Sequence, residues 1–148
     1  MKLLKQGFTL IELLVVISII GILAGLSIFG LQGARQASRD AVRKADLEQI
    51  RSGLGIYNAD CNAYPAALNL SNPITLKGNG STSSCAVTNT YIASTPADPS
   101  RPSSSYAYTS NGITYSICAA LEQAPNPAMS VAGCGSCVKT CNYKVTSP

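Results

Sequence analysis

Few residues in this chain could do chemistry. There is no histidine, no glycine-rich phosphate loop, and no close pair of carboxylates that could divide acid and base roles. Two features remain. The first is Glu12, near the start of a segment in which 22 residues, Leu13 to Ala34, carry no charge. A carboxylate inside an apolar segment of that length costs roughly 2.5–3.5 kcal/mol on insertion scales, so it is read as functional by default. The second is a set of six cysteines: Cys61, Cys85, Cys118, Cys134, Cys137 and Cys141. An even count suits three disulfides. Cys134-x2-Cys137-x3-Cys141 also has metal-like spacing, and Cys118 could complete a zinc set. The lack of histidine, the even count and an exported location weigh against zinc, and no thioredoxin-like pattern surrounds the Cys-x-x-Cys. No metal is assigned.

These residues must be positioned by long elements. The uncharged run is long enough to cross a hydrocarbon core of roughly 30 Å as a helix. It exceeds the roughly 7–15 apolar residues of a secretory signal and continues into a helical pattern instead of a cleavage loop. A plain single-span anchor accounts for the length but gives Glu12 no task. Gly21 and Gly25 form a G-x-x-x-G, which lets membrane helices pack closely or lets this one flex. Beyond the span, Val42, Leu47, Ile50, Leu54 and Tyr57 fall on one helix face, while Asp40–Lys44 and Arg43–Asp46 read as charge pairs on a solvated opposite face. One helix from Phe8 to Tyr57 would be about 75 Å long.

Helical periodicity ends at Asn58. Residues 66–95 are rich in Ser, Thr, Asn and Gly, with Lys77 their only charge, and read as a loop. Tyr106 and Tyr108, then Ile113, Tyr115 and Ile117, flank Ser110-Asn111-Gly112, a hairpin signal. A third strand is expected near Ser130–Ala132 or Asn142–Val145. Helix, loop, then antiparallel strands is α+β. About 90 residues follow the helix, a head small enough to need staples. The expected bridges are Cys61–Cys85, closing the loop after the helix, and two more that pin the C-terminal segment onto the strand bearing Cys118.

The first 30 residues, Met-Lys-Leu-Leu-Lys-Gln-Gly7 followed by Phe8-Thr-Leu-Ile-Glu12-Leu-Leu-Val-Val, resemble the class III leader of type IV prepilins and type II secretion pseudopilins. The resemblance implies cleavage between Gly7 and Phe8 by prepilin peptidase and N-methylation of Phe8. It also implies that Glu12 pairs with the N-terminus of a neighbouring subunit. The new α-amine, with a reference pKa near 7.7–8.0, is a cation that a carboxylate in a low-dielectric bundle attracts strongly. Four regions follow: leader 1–7, transmembrane and filament-core half-helix 8–34, amphipathic half-helix 35–57, and disulfide-stapled head 58–148. No proline interrupts the apolar half, so any kink there falls to glycine.

Thr95-Pro96-Ala97-Asp98-Pro99 resembles the equivalent region of major pseudopilins, in which calcium often sits beside the last strands. The usual Trp-Gly is missing, and from residue 60 onward the acids are only Asp60, Asp98 and Glu122, few for an ion that takes six to eight oxygens. No cofactor is claimed, calcium included. Lys2 and Lys5 favour a cytoplasmic N-terminus. Arg35, Arg39, Arg43 and Lys44 oppose them, and the cysteines decide for an extracytoplasmic head in an oxidising compartment. The expected role is structural, not enzymatic: a subunit polymerising with itself from the inner membrane into a pilus or pseudopilus. Its partners would be the prepilin peptidase, an assembly platform, an assembly ATPase and, before assembly, lipid. The competing reading is a membrane-anchored, non-polymerising, disulfide-rich adhesin or binding module. Lys139 and Lys144 make too small a basic patch to claim nucleic acid.

Overall fold

Two periodicities, one helical and one alternating, produce the two halves of the architecture. A computed structural model describes residues 7–80, 85–123, 125–127 and 129–148, with the backbone alone for 28–30. Lys2 and Lys5 lie outside the described residues. The chain divides into two units, one ending at Gln36 and the other running from Ala37 to Pro148. Helix α1 is Leu10–Cys61. Two short strands follow, β1 (Leu76–Lys77) and β2 (Thr90–Ile92), paired antiparallel. Then come β3 (Ala107–Ser110), β4 (Tyr115–Ala119) and β5 (Tyr143–Thr146), an antiparallel sheet in the order β3-β4-β5. This is an α+β, pilin-like arrangement of one long N-terminal helix with small antiparallel sheets.

In the second unit Leu47, Ile50, Leu54 and Tyr57 are buried, spaced by three and four residues so that they share one helix stripe. They meet Leu76 and Ile92 from the small sheet and Tyr115, Ile117 and Val145 from the larger one in a single core. Val42 is not on that stripe; it is 45% exposed. The helix runs past Tyr57 to Cys61. Asn62 then takes the left-handed conformation (φ 53°) and its N–H donates to the Asn58 carbonyl at 2.8 Å, a C-terminal cap of the kind Asn tolerates. The third strand forms at Tyr143–Thr146; Ser130–Ala132 is irregular. The stretch expected as loop contains β1 and β2, held beside the helix end by the Cys61–Cys85 disulfide. Cys118 is joined to Cys134, which ties the tail to β4, and Cys137 to Cys141, which closes a short loop within the tail.

The charged helix face differs most from expectation. Arg43 is fully buried. Its guanidinium donates to both carboxylate oxygens of Asp98 (2.9 and 3.1 Å), to Asp40 at 2.6 Å, to Glu122 at 3.0 Å and to Ser100 Oγ at 2.7 Å. Asp40 thus pairs with Arg43, not Lys44, and also accepts the backbone N–H groups of Glu122 and Gln123. Arg39 grips Glu122 with two nitrogens. Burial alone would lower the Arg43 pKa, but the hydrogen bonds to Asp98, Asp40 and Glu122 override it and raise it. The Arg39 contact, partly opposed by burial and reinforced by Arg43, holds the Glu122 carboxyl down at about 2. Asp46, expected to face Arg43, instead accepts the Tyr106 hydroxyl at 2.5 Å. Burial raises both Asp46 and Tyr106; their shared bond opposes the first shift and adds to the second.

Candidate functional site

The amino-terminal segment is built around one reciprocal contact. Leu10 opens α1, so Thr9 stands at the N-cap and Glu12 at the third helical position. The Thr9 backbone N–H donates to Glu12 Oε2 at 2.8 Å, and the Thr9 hydroxyl donates to the same oxygen at 2.7 Å. The Glu12 N–H lies 3.3 Å from Thr9 Oγ1, as a donor. This is a capping box, in which two otherwise orphaned helix-end donors are satisfied by side chains of the same turn. The helix dipole favours the carboxylate at this end. The charge in the apolar segment therefore has a local structural task as well.

Around it the segment presents apolar surface to its surroundings. Phe8 is 88% exposed, and Leu10, Ile11, Leu13, Val15 and Val16 are also exposed. Phe8, Ile11, Val15 and Val16 line a shallow apolar groove with Glu12 at its edge. Ser18 and Ser27 return their hydroxyl hydrogens to the carbonyls of Leu14 and Leu23, so neither leaves an open donor on this face. Among the described residues, nothing beyond the helix's own adjacent backbone lies within 4 Å of a Cβ at Gly21 or Gly25. Glycine at these positions is not demanded by the chain's own packing, and it leaves room for a neighbouring backbone. Among the described residues, α1 is the helix long and apolar enough to cross a membrane, and its most apolar stretch has nothing of the chain packed over it.

Gly7, Phe8 and Glu12 lie together at this end, with Gly21 and Gly25 further along the same apolar half. The six cysteines belong to the second unit. Thr9 was not among the expected functional residues, although Thr-x-x-Glu before an apolar run is a capping signature. Among the described residues no cluster of His, Cys, Asp and Glu has the makings of a metal site.

The prokaryotic N-terminal methylation motif family matches residues 3–28. The type II secretion system core protein G of Pectobacterium carotovorum is 37% identical over 62 residues, 42% of this chain and 40% of that protein. Its counterpart in Pseudomonas aeruginosa is 39% identical over 62 residues, 42% of this chain and 44% of that one. The type IV wide pilus major component PilA4 of Thermus thermophilus is 46% identical over 59 residues, 40% and 45% of the two chains. The chain spans less than half the length of these curated relatives. No solved structure matches it significantly. Structural subunits, not enzymes, make up the family these findings indicate. In residues 3–28 the chain carries the N-terminal methylation motif, and over about 60 residues it is similar to type II secretion core proteins and a type IV pilus component.

Proposed function

We propose that the chain is a structural subunit, cut between Gly7 and Phe8 by prepilin peptidase, N-methylated on Phe8, and polymerised with copies of itself into a pilus or pseudopilus. The observation that carries this reading is Glu12 at the capped head of an otherwise uncharged and exposed helical segment. Cleavage after Gly7 puts an α-amine one residue before the N–H that Glu12 already holds. In the membrane pool Glu12 has its own helix end for a partner; in the filament it gains the amine of an adjacent subunit and sets axial register. In this reading residues 8–34 anchor the subunit and later form the filament core, residues 35–57 are the spine of the head, and 58–148 are the extracytoplasmic head. The assembly platform and its ATPase would act on the anchored form.

Glu12→Ala tests this. The expected outcome is a chain that still inserts and is still cleaved but is missing from sheared filaments; normal filament yield would overturn the reading. A non-polymerising adhesin makes the opposite prediction for the assembly ATPase, whose deletion would then leave surface display unchanged.

A further inference from the structure

The turn between β3 and β4 concentrates hydrogen bonds on one side-chain amide that the filament reading does not use. We propose that Asn111 is a self-modification site, at which the chain's own backbone converts the asparagine through a cyclic imide to aspartate or isoaspartate. Asn111 Oδ1 accepts three donors: the Ile113 N–H at 3.0 Å, the Thr114 N–H at 2.7 Å and the Thr114 hydroxyl at 3.2 Å. The next residue is Gly112, at φ +87°, and among the described residues nothing lies within 4 Å of where its Cβ would stand, so no side chain crowds the approach of its backbone to Asn111. The Gly112 N–H donates to Ser110 Oγ at 3.0 Å. Ser110 directs its own hydroxyl hydrogen to the Thr114 carbonyl at 3.1 Å, which leaves a lone pair facing Gly112. The Tyr64 N–H on the Gly112 carbonyl, at 2.8 Å, fixes the following peptide.

This arrangement serves an intramolecular acyl transfer. The Gly112 nitrogen bonds to Asn111 Cγ and its proton goes to the Ser110 Oγ lone pair, while the Ser110 hydroxyl releases its own hydrogen, turned from the Thr114 carbonyl, to water. Negative charge then develops on Oδ1, where the three donors are already aimed. The Cγ–Nδ2 bond breaks, and the nitrogen leaves as ammonia after taking a proton from water. Water then opens the five-membered imide at either carbonyl, giving aspartate or, with one extra main-chain methylene, isoaspartate. No oxidant or cofactor enters. Asn111 is exposed and borders an open polar cavity shared with Ser110, Thr114 and Ser116, so water reaches it.

The chain contains its own comparison. Asn79 also precedes a glycine, but the Gly80 N–H is committed to the Val87 carbonyl at 3.2 Å, and a Cβ there would lie 3.1 Å from Thr88 Cγ2. That nitrogen must first leave its backbone bond to Val87, which requires local opening.

The full chain is incubated folded at mildly alkaline pH, and conversion at each Asn-Gly is followed by peptide mass spectrometry with isoaspartate resolved. Asn111 is expected to convert about tenfold faster than Asn79, and the ratio is expected to fall towards one in urea, where both sites are unfolded. Ser110→Ala and Thr114→Val should each slow Asn111 about fivefold, roughly the worth of one hydrogen bond, and leave Asn79 as an unchanged internal clock. If Asn111 converts no faster than Asn79 in the folded chain, if urea leaves the ratio as it was, or if both variants convert at the parent rate, the proposal is wrong.

Discussion

Ile92 of β2 lies so close over Gly53 of α1 that a Cβ at position 53 would overlap its Cγ1 and Cδ1. This close approach sets how deeply the small sheet settles onto the helix. Gly53→Ala should overpack the contact and cost about 1–3 kcal/mol in denaturant unfolding. Gly55, two residues on, has nothing around it. Gly55→Ala should be stabilising by about 0.5–1 kcal/mol, because a helix interior favours alanine. Equal effects from the two variants would contradict the close contact.

Arg43 should be the most costly single charge to orphan. Asp98→Ala removes the partner that takes two of its hydrogen bonds and leaves a buried guanidinium partly uncompensated. A loss of about 3–5 kcal/mol is expected, read from chemical unfolding of the full chain in detergent. Glu48→Ala breaks only the surface pair with Arg51 and should cost less than about 1 kcal/mol.

Glu122 gives an acid limb with a defined sign. Its folded pKa of about 2 lies below the ordinary 4.5, so the stabilisation it confers is fully present above about pH 4.5 and is lost as the pH falls from there towards 2. Glu122→Gln should remove part of the stability slope in that window and leave the slope between pH 6 and 8 unaltered. An unchanged acid limb would show that the Arg39 contact does not persist in solution.

The Thr9 cap can be tested apart from the charge. Thr9→Ala removes the hydroxyl that binds Glu12 and should weaken the helix start by about 1 kcal/mol. Filament yield should drop only partly, less than in Glu12→Ala, because Glu12 keeps its charge. Thr9→Ser should restore it.

The disulfides should rank by the loops they close. Paired Ser substitution at Cys61 and Cys85, 24 residues apart, should cost about 2–4 kcal/mol in thermal unfolding. The same change at Cys137 and Cys141, four apart, should cost less.

Where the sequence was readable, a long pattern or a strong turn signal made it so. The stripe Leu47, Ile50, Leu54, Tyr57 repeats often enough to fix a helix face, and Ser110-Asn111-Gly112 marks the hairpin by turn chemistry alone. Strands β1 and β2 are two and three residues long, too short for alternation to register, and Leu76 and Ile92 find each other only across an intervening loop. Arg43 reads as solvated because charge on a helix usually is. Its partners Asp98 and Glu122 lie 55 and 79 residues away, beyond any local rule. Thr9 carries a legible signature, Thr-x-x-Glu ahead of an apolar run, but the length of that run alone already accounts for a helix there.

Three carboxylates from separate stretches, Asp40, Asp98 and Glu122, converge on one guanidinium. The counter-cation is thus delivered on the polypeptide itself and arrives when the chain folds. The positive charge at this junction is set by covalent chemistry, independent of the ionic content of the medium, and it cannot be diluted, exchanged or chelated away.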